Sequence, residues 1–318
     1  MPQQDLAQLA RWTARGDTVQ WQAQGVGLVN RSRQSGLGGN DLISVNGVLS
    51  PVIPALENQS DIAFGSGNSR IALTLRFSSY SGGLTTGALF NTRSARITTT
   101  GNMDIEVAIN AYSPTVGLFN QGVISATTAG SLRVNASNVT STAIFNTGYI
   151  IGGDRNDSIT GTTPASSGSS SAIITTAAGG IDLKGGNDII TGTTITGSGQ
   201  VNALSRPYDI LMGAGNDVLR ATNSGLVSFL GLSVDMGSGD DTAIGFGDSR
   251  LQGGSGRDTL RVPRGTYTVF STSQPGWYGI LPSTSNQVMY ISGFEAIGAI
   301  DGSLSGFRLG SQLGAVTI

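Results

Sequence analysis

The chain has 318 residues, and 48 of them are glycine, which is roughly twice the usual share. Charged residues make up 12% and the net charge is −2, so the composition excludes a charge-driven disordered chain and gives no basic surface for nucleic acid. Histidine and cysteine are both absent, which excludes zinc sites, thiol catalysis, Ser/His triads and disulfides, and leaves oxygen ligands and carboxylate chemistry.

The first segment, residues 1–24, is predicted to be an N-terminal cap. A short amphipathic helix is expected between Asp5 and Ala14, with Asp5 as its N-cap. The segment contains no apolar stretch long enough for the core of a signal peptide, and nothing in the chain reaches the roughly 18 apolar residues of a membrane span. The sequence therefore predicts neither a cleaved N-terminal signal peptide nor a transmembrane segment.

A glycine-rich loop that ends in aspartate and precedes aliphatic residues recurs through residues 25–261. A degenerate copy of the loop carries Ser69 in the aspartate position. Neighbouring copies lie 17 to 31 residues apart from Asp41 to Ser69 and from Asp157 to Asp258. A fixed period of this size is typical of stacked coils. The loops are GLGGNDLI (Asp41), GGDRNDSI (Asp157), LKGGNDII (Asp188), MGAGNDVL (Asp217), MGSGDDTAI (Asp241) and GGSGRDTL (Asp258).

A second marker repeats in phase with the loops, as GLVN, ALFN, GLFN, AIFN and AIIT. Runs between the markers alternate apolar and polar residues at period two, which predicts strands. One coil cannot bury its own apolar side, so internal ladders are expected, with an exposed aromatic stripe as the alternative for the phenylalanines. The predicted ladder residues are Phe90, Phe119, Phe145 and Ile174, together with Ile43, Ile159, Ile190 and Leu219.

These periods predict an all-β parallel β-solenoid over residues 25–261. From residue 262 the pattern changes, with more aromatic residues and no acidic loop. Residues 262–318 are therefore expected to form a β-rich C-terminal segment that caps or docks the solenoid.

The loops resemble the RTX (repeats-in-toxin) nonapeptide, G-G-x-G-x-D-x-U-x, where U is a large aliphatic residue. The resemblance implies a right-handed parallel β-roll that binds calcium between neighbouring loops, through glycine-loop carbonyls and the aspartate carboxylate. Glycine permits the positive φ that such turns need, and calcium takes six to eight oxygen ligands. The ligands it implies are Asp41, Asp157, Asp188, Asp217, Asp241 and Asp258, with Gly213, Gly215, Gly237, Gly239, Gly254 and Gly256.

The long coils are more similar to the haemolysin-type calcium-binding proteins of cyanobacteria than to the 18-residue coils typical of the family. Arg155 and Lys184 stand where the loop pattern has glycine. Three further aspartates precede their loops by six to eight residues, and they either supplement the ligands or are surface turn residues. They are Asp182, Asp209 and Asp235.

The resemblance implies a secreted or cell-surface structural or adhesion protein whose folding is coupled to calcium. It also implies export without a cleaved N-terminal signal, through a type I secretion channel and guided by an uncleaved signal within residues 262–318. Self-association and cell-surface polysaccharide are the expected partners besides calcium. One alternative is an ice- or carbohydrate-binding face built from Thr98–Thr100, Thr160–Thr163 and Thr191–Thr196.

A polysaccharide-modifying enzyme on the same scaffold is the other alternative. It needs clustered acids and a base, for which Glu57, Asp61 and Asp104 would have to approach one another across coils. Since the sequence has no histidine and its other acids stand almost alone, the prediction is that the chain is not an enzyme.

Overall fold

A computed structural model describes residues 3–9, 13, 15–49, 53–77, 87–110, 116–137, 142–163, 172–176, 179–196, 209–221, 228–302 and 313–318. Nearly all regular structure in these ranges is β-strand in stacked parallel sheets, which confirms the predicted all-β parallel solenoid and is consistent with a right-handed coil. The one short helix, α1 (Leu6–Leu9), follows Asp5, whose Oδ1 accepts a hydrogen bond from the amide of Ala7 at 3.1 Å. No helix in the described ranges is long and apolar enough to cross a membrane.

The N-terminal coils each contribute three strands. The stretches between the strands turn the chain at the corners, and apolar residues alternate with polar ones along each strand because successive side chains point to opposite faces. The strands are β1 (Gln4–Asp5), β2 (Thr18–Gln24), β3 (Leu28–Asn30), β4 (Gln34–Leu37), β5 (Leu42–Leu49), β6 (Leu56–Asn58), β7 (Asp61–Phe64), β8 (Asn68–Phe77), β9 (Leu89–Asn91), β10 (Arg96–Thr99), β11 (Asn102–Asn110), β12 (Val116–Asn120), β13 (Val123–Ala126), β14 (Leu132–Ser137), β15 (Thr142–Asn146), β16 (Tyr149–Ile151) and β17 (Ser158–Gly161).

The C-terminal coils become shorter. Strand β24 runs from one face of the solenoid to the next with a register irregularity between Leu230 and Leu232, so two strands complete a coil there. This explains the short loop spacings at the end of the repeat. The strands are β18 (Ile173–Thr175), β19 (Gly180–Asp182), β20 (Ile189–Gly192), β21 (Ile195–Thr196), β22 (Ile210–Leu211), β23 (Val218–Ala221), β24 (Phe229–Asp235), β25 (Thr242–Ile244), β26 (Gly247–Gln252), β27 (Thr259–Val262), β28 (Thr266–Ser271), β29 (Tyr278–Pro282), β30 (Met289–Ser292), β31 (Ala296–Ala299) and β32 (Gly314–Thr317).

Parallel pairing divides the strands among three faces. Face 1 contains β1, β3, β6, β9, β12, β15, β18, β21 and the start of β24. Face 2 contains β4, β7, β10, β13, β16, β19, β22, the end of β24, β26 and β30. Face 3 contains β2, β5, β8, β11, β14, β17, β20, β23, β25, β27 and β31, so its parallel pairing already begins within the segment predicted as the N-terminal cap.

The core is a column of aliphatic side chains between the three faces. The predicted ladder after the loops is confirmed, since Ile43, Ile159, Ile190 and Leu219 are fully buried on face 3. The predicted internal phenylalanine ladder is wrong, because in the L-F-N marker the leucine and asparagine point inward and the ring between them points outward. The residues concerned, Phe90, Phe119, Phe145 and Ile174, are only partly buried.

The C-terminal end of the solenoid carries an antiparallel hairpin. Strands β28 and β29 pair with each other, β29 pairs with β30, and β32 pairs with β28. Strands β30 and β31 still stack in parallel on β26 and β27. The predicted β-rich cap is therefore built around an insertion, β28 and β29, which precedes the last coil of β30 and β31. The terminal strand β32 extends the insertion by pairing with β28.

Candidate metal centre

The loop aspartates form one line along the corner between face 2 and face 3. The register of β17, β20, β23, β25 and β27 places the residue before each strand directly above the residue before the next. All of these side chains are at most 2% exposed. The set is called the acidic column here, and its aspartates are Asp157, Asp188, Asp217, Asp241 and Asp258.

Each carboxylate in the acidic column accepts a main-chain hydrogen bond from the preceding coil. The amide of Asp188 donates to Oδ1 of Asp217 at 2.7 Å, and the amide of Asp217 donates to Oδ1 of Asp241 at 2.8 Å. The same bond joins Asp157 to Asp188 at 2.7 Å and Asp241 to Asp258 at 2.9 Å. One oxygen of each carboxylate therefore holds neighbouring coils in register.

The second carboxylate oxygen of four of these aspartates has no hydrogen-bond partner, although it is buried. These atoms are Oδ2 of Asp188, Asp217, Asp241 and Asp258. A buried charged oxygen without a partner is costly. The column therefore needs either protons or cations along this side.

Burial raises the pKa of every aspartate in the column, because the charged form loses its hydration. The pKa of Asp188 rises to about 8, with the charges of Asp157 and Asp217 adding to the effect of burial. Burial raises the pKa of Asp241 to about 7, helped by its acidic neighbours. The pKa values of Asp157 and Asp217 rise to about 6 through burial alone, so protons and cations compete for the column near neutral pH.

The glycine loops stack too closely for any side chain. A Cβ on Gly215 would lie 1.7 Å from the carbonyl oxygen of Gly186, and a Cβ on Gly239 would lie 1.8 Å from that of Gly215. Main-chain oxygens therefore lie directly between successive loops. The loop glycines with positive φ are Gly186, Gly213, Gly215, Gly237, Gly239, Gly254 and Gly256.

The two non-glycine residues in the loop pattern differ. Lys184 adopts a φ of 70°, so it reproduces the left-handed turn despite its side chain. Its Nζ forms an ion pair with Asp182. Arg155 has no positive φ, so the loop of Asp157 departs from the shared geometry, and Oδ2 of Asp157 accepts a hydrogen bond from the amide of Gly153 at 2.9 Å.

A second set of hydrogen bonds runs beside the acidic column in the opposite direction. The amide of Asn216 donates to Oδ1 of Asn187, that of Asp240 to Oδ1 of Asn216, and that of Arg257 to Oδ1 of Asp240, at 2.8 to 2.9 Å. The residue before each aspartate thus bonds to the earlier coil, whereas the aspartate bonds to the later one. The recurring Asn-Asp pairs were the signal for this brace, which the sequence analysis missed.

Asp41 lies apart from the other predicted ligands. Its carboxylate accepts the amide of Asp17 at 2.9 Å, but the next positions along the same corner are Ser69, Met103 and Leu132. The structure therefore brings five of the six predicted aspartates together and leaves Asp41 on the N-terminal side of a gap of three residues without a carboxylate.

The three supplementary aspartates have separate roles. Asp182 pairs with Lys184, and Oδ1 of Asp235 accepts the amide of Gly237 at 3.1 Å. Asp209 is 1% exposed, and its Oδ2 accepts the amide of Ser233 at 3.0 Å, so it is not a surface turn residue.

No group of three or more acidic side chains converges on one point in the part of the chain that the structure describes. A cation in the acidic column would therefore draw its remaining ligands from main-chain carbonyls. Calcium accepts such mixed sets of six to eight oxygens. The partnerless Oδ2 atoms and the stacked glycine carbonyls fit this donor set.

A buried asparagine ladder occupies the corner between face 1 and face 2. Nδ2 of Asn58 donates to Oδ1 of Asn91 at 2.9 Å, and Nδ2 of Asn91 donates to Oδ1 of Asn120 at 2.7 Å. The ladder extends to Asn30 on one side and Asn146 on the other. The sequence signal for this ladder is the asparagine that ends each GLVN or LFN marker; the prediction of an internal ladder named the phenylalanine before it.

The residues of the two alternative functions do not assemble. Thr98 lies on face 2, whereas Thr160 pairs with Thr191 on face 3, and the next residue in that register is Arg220. The three proposed acids of an enzyme lie on different faces: Glu57 on β6, Asp61 on β7 and Asp104 on β11.

No family model and no curated protein matches the sequence. The class of protein therefore follows from the fold, which is a parallel β-solenoid. Within that class the chain is defined by a neutral asparagine ladder along one corner and a buried acidic column along another.

Proposed function

We propose that this chain is an RTX-type calcium-binding structural protein of the cell surface or extracellular space, and that calcium along the acidic column fixes the C-terminal coils. One observation carries the proposal: Oδ2 of Asp188, Asp217, Asp241 and Asp258 is buried without a hydrogen-bond partner. Cations would supply the missing partner for each.

The charges of the acidic column favour bound calcium over a column without cations. Successive carboxylates are linked through a single main-chain amide, so their charges lie within one coil of each other and repel. A divalent cation offsets both this repulsion and the loss of hydration. Binding should therefore be coupled to folding of these coils.

Coupling to calcium suits a protein that leaves the cell unfolded and folds where calcium is abundant. We infer export through a type I channel from the RTX resemblance, together with self-association or cell-surface polysaccharide as the partner of the folded rod. These inferences all depend on calcium binding, which is therefore the first property to test.

The decisive experiment uses Asp217→Asn and Asp241→Asn. Asparagine keeps the Oδ1 acceptor for the amide of the preceding coil and removes the charge. An aspartate whose only role is this hydrogen bond should therefore tolerate the substitution. We expect the wild-type melting temperature to rise with calcium and this rise to shrink in both variants. Asp104→Asn is the matched control, since Asp104 is on the outer surface and pairs with Arg70 and Arg133.

The measurements are calorimetric titration with calcium and thermal melting by circular dichroism, with and without EDTA. Wild-type stability that is the same in EDTA and in millimolar calcium would contradict the proposal. An Asp104→Asn variant that lost the calcium response as fully as Asp217→Asn would contradict the placement of the sites.

The outward phenylalanines support carbohydrate binding as a second candidate. The rings of Phe90 and Phe119 stack with centroids 5.2 Å apart, and those of Phe119 and Phe145 with centroids 5.0 Å apart. A contiguous row of partly exposed aromatic rings on a rigid face is typical of an interaction surface. Loss of binding to anionic polysaccharide on Phe119→Ala, with unchanged folding, would support it; unchanged binding would exclude the stripe.

A further inference from the structure

The acidic column does not end at the last glycine loop. The pairing of Thr259 with Ala296 and of Leu260 with Ile297 places Glu295 directly after Asp258 in the register. The amide of Asp258 donates to Oε2 of Glu295 at 2.6 Å, as each earlier aspartate amide donates to the next carboxylate. Glu295 therefore occupies the next position of the column.

The use of glutamate follows from the length of the corner. Six residues, 253–258, separate β26 from β27, whereas three residues, 293–295, separate β30 from β31. A corner with fewer residues places the main chain of Glu295 differently from that of a loop aspartate. The side chain of glutamate is longer than that of aspartate by one methylene. This carboxylate nevertheless reaches the same hydrogen-bond donor.

Two further oxygens lie beside this end of the column. Oδ2 of Asp258 is buried without a partner. A Cβ on Gly253 would lie 2.7 Å from this Oδ2 and 2.2 Å from the carbonyl oxygen of Gly293. The two oxygens are therefore at most 4.9 Å apart, a separation that one calcium ion can bridge at its usual distances of about 2.3 to 2.6 Å.

We propose that the calcium ion at Oδ2 of Asp258 is also bound by the carbonyl of Gly293 and the carboxylate of Glu295, and that this site closes the acidic column at its C-terminal end. The inference rests on the proposed function. The corner at Gly293 lacks a glycine loop like those of the earlier coils, so the protein supplies fewer oxygens here and water completes the coordination. The site should bind more weakly than sites between two glycine loops.

The charges at this end agree with a cation. The pKa of Asp258 is raised by burial and additionally by the neighbouring charges of Glu295 and Asp240. Among the residues that the structure describes, no cationic side chain forms an ion pair with Asp258 or Glu295. A bound divalent ion would offset the repulsion between the two carboxylates.

The test compares Glu295→Gln with Glu57→Gln by calorimetric titration of the full chain with calcium. Glutamine at 295 still accepts the amide of Asp258, so the fold should persist, and circular dichroism checks this. We expect Glu295→Gln to bind one fewer calcium ion per chain, through loss of the weakest class of site. Glu57→Gln makes the same charge change on β6, where Glu57 bonds to Gln3 and Gln59, and should bind the wild-type number.

The outcomes separate the two proposals. If the wild-type chain binds no calcium, the proposed function itself is wrong. If the wild-type chain binds calcium and Glu295→Gln binds the same number with the same affinities, the column is a calcium site but Glu295 is only a structural brace. Equal losses in Glu295→Gln and Glu57→Gln would also overturn the site, because they would indicate a general charge effect.

Discussion

The two halves of the solenoid hold their coils together with different chemistry. In the N-terminal half a buried asparagine ladder runs from Asn30 to Asn146, and its amides find donors and acceptors within the ladder, in the main chain or, for Asn30, on Gln34. In the C-terminal half the acidic column runs from Asp157 to Glu295 and leaves oxygens without partners. A neutral ladder satisfies itself, whereas an acidic one needs an external cation or proton.

The two systems meet in a single coil. Asn146 and Asp157 belong to the coil of β15, β16 and β17, and the asparagine ladder ends there with a long bond of 3.4 Å from Nδ2 of Asn146 to Oγ1 of Thr175. Coils before this point should be stable in any ionic condition. Coils after it should respond to calcium and to pH.

The largest expected effect comes from closing the space between stacked loops in the acidic half. Gly239 has a φ of +130° and no room for a Cβ against the carbonyl of Gly215, so Gly239→Ala should cost about 3 kcal/mol or more. Hydrogen exchange by mass spectrometry should show lost protection after residue 209 and retained protection in β5 to β14. Uniform loss along the chain would show that the halves are not separable.

A somewhat smaller effect is expected from breaking the neutral ladder. Asn91→Ala removes the acceptor of Asn58 and the donor to Asn120. Because Nδ2 of Asn58 keeps its bond to the carbonyl of Arg96, the main loss is the buried oxygen of Asn120 left without a partner, at about 1 to 3 kcal/mol. The loss, measured by denaturant unfolding, should be the same with calcium and with EDTA. A loss that calcium repairs would contradict the division of the chain into two halves.

The pH dependence of the calcium-free protein should locate the acidic half. The folded-state pKa values of Asp188 and Asp241 are about 8 and 7, above the value of about 4 for an unfolded aspartate. Their contribution to stability is therefore complete below pH 4 and is lost as pH rises towards 8. Melting in EDTA at pH 5 and pH 8 should show the higher stability at pH 5.

Calcium should reverse that trend, because it binds the deprotonated carboxylates and displaces protons. The stabilisation by calcium should therefore grow from pH 5 to pH 8. If the EDTA samples melt at the same temperature at both values of pH, the acidic column does not limit stability.

The smallest effect is expected on the outer surface. Phe119 is only partly buried, so Phe119→Ala should cost about 1 kcal/mol through lost stacking with Phe90 and Phe145, well below the 3 to 5 kcal/mol of a buried phenylalanine. Thermal melting decides between the two values. A loss in the larger range would show that the rings belong to the core.

The sequence was sufficient for the architecture, because two markers repeating in phase require stacked coils. It was insufficient for side-chain direction, since GLFN has the same period whether Phe119 or Asn120 faces inward. The contacts of Glu295 were also missed, although Glu295-Ala-Ile follows the same pattern as Asp258-Thr-Leu. The corner of residues 293–295 hides the relation, because it lacks the glycine spacing of the loops.

The antiparallel hairpin beside the acidic column gives coil assembly a preferred starting point. Each aspartate joins two coils, since its amide needs an acceptor on the coil that follows and its carboxylate needs a donor on the coil that precedes. The last acceptor, Glu295, lies in the coil that directly follows the antiparallel pair β28 and β29, whose short-range pairing needs little loop closure. Folding of the C-terminal half is therefore expected to nucleate at the hairpin of β28 and β29 and to propagate towards the N-terminus, one coil at a time.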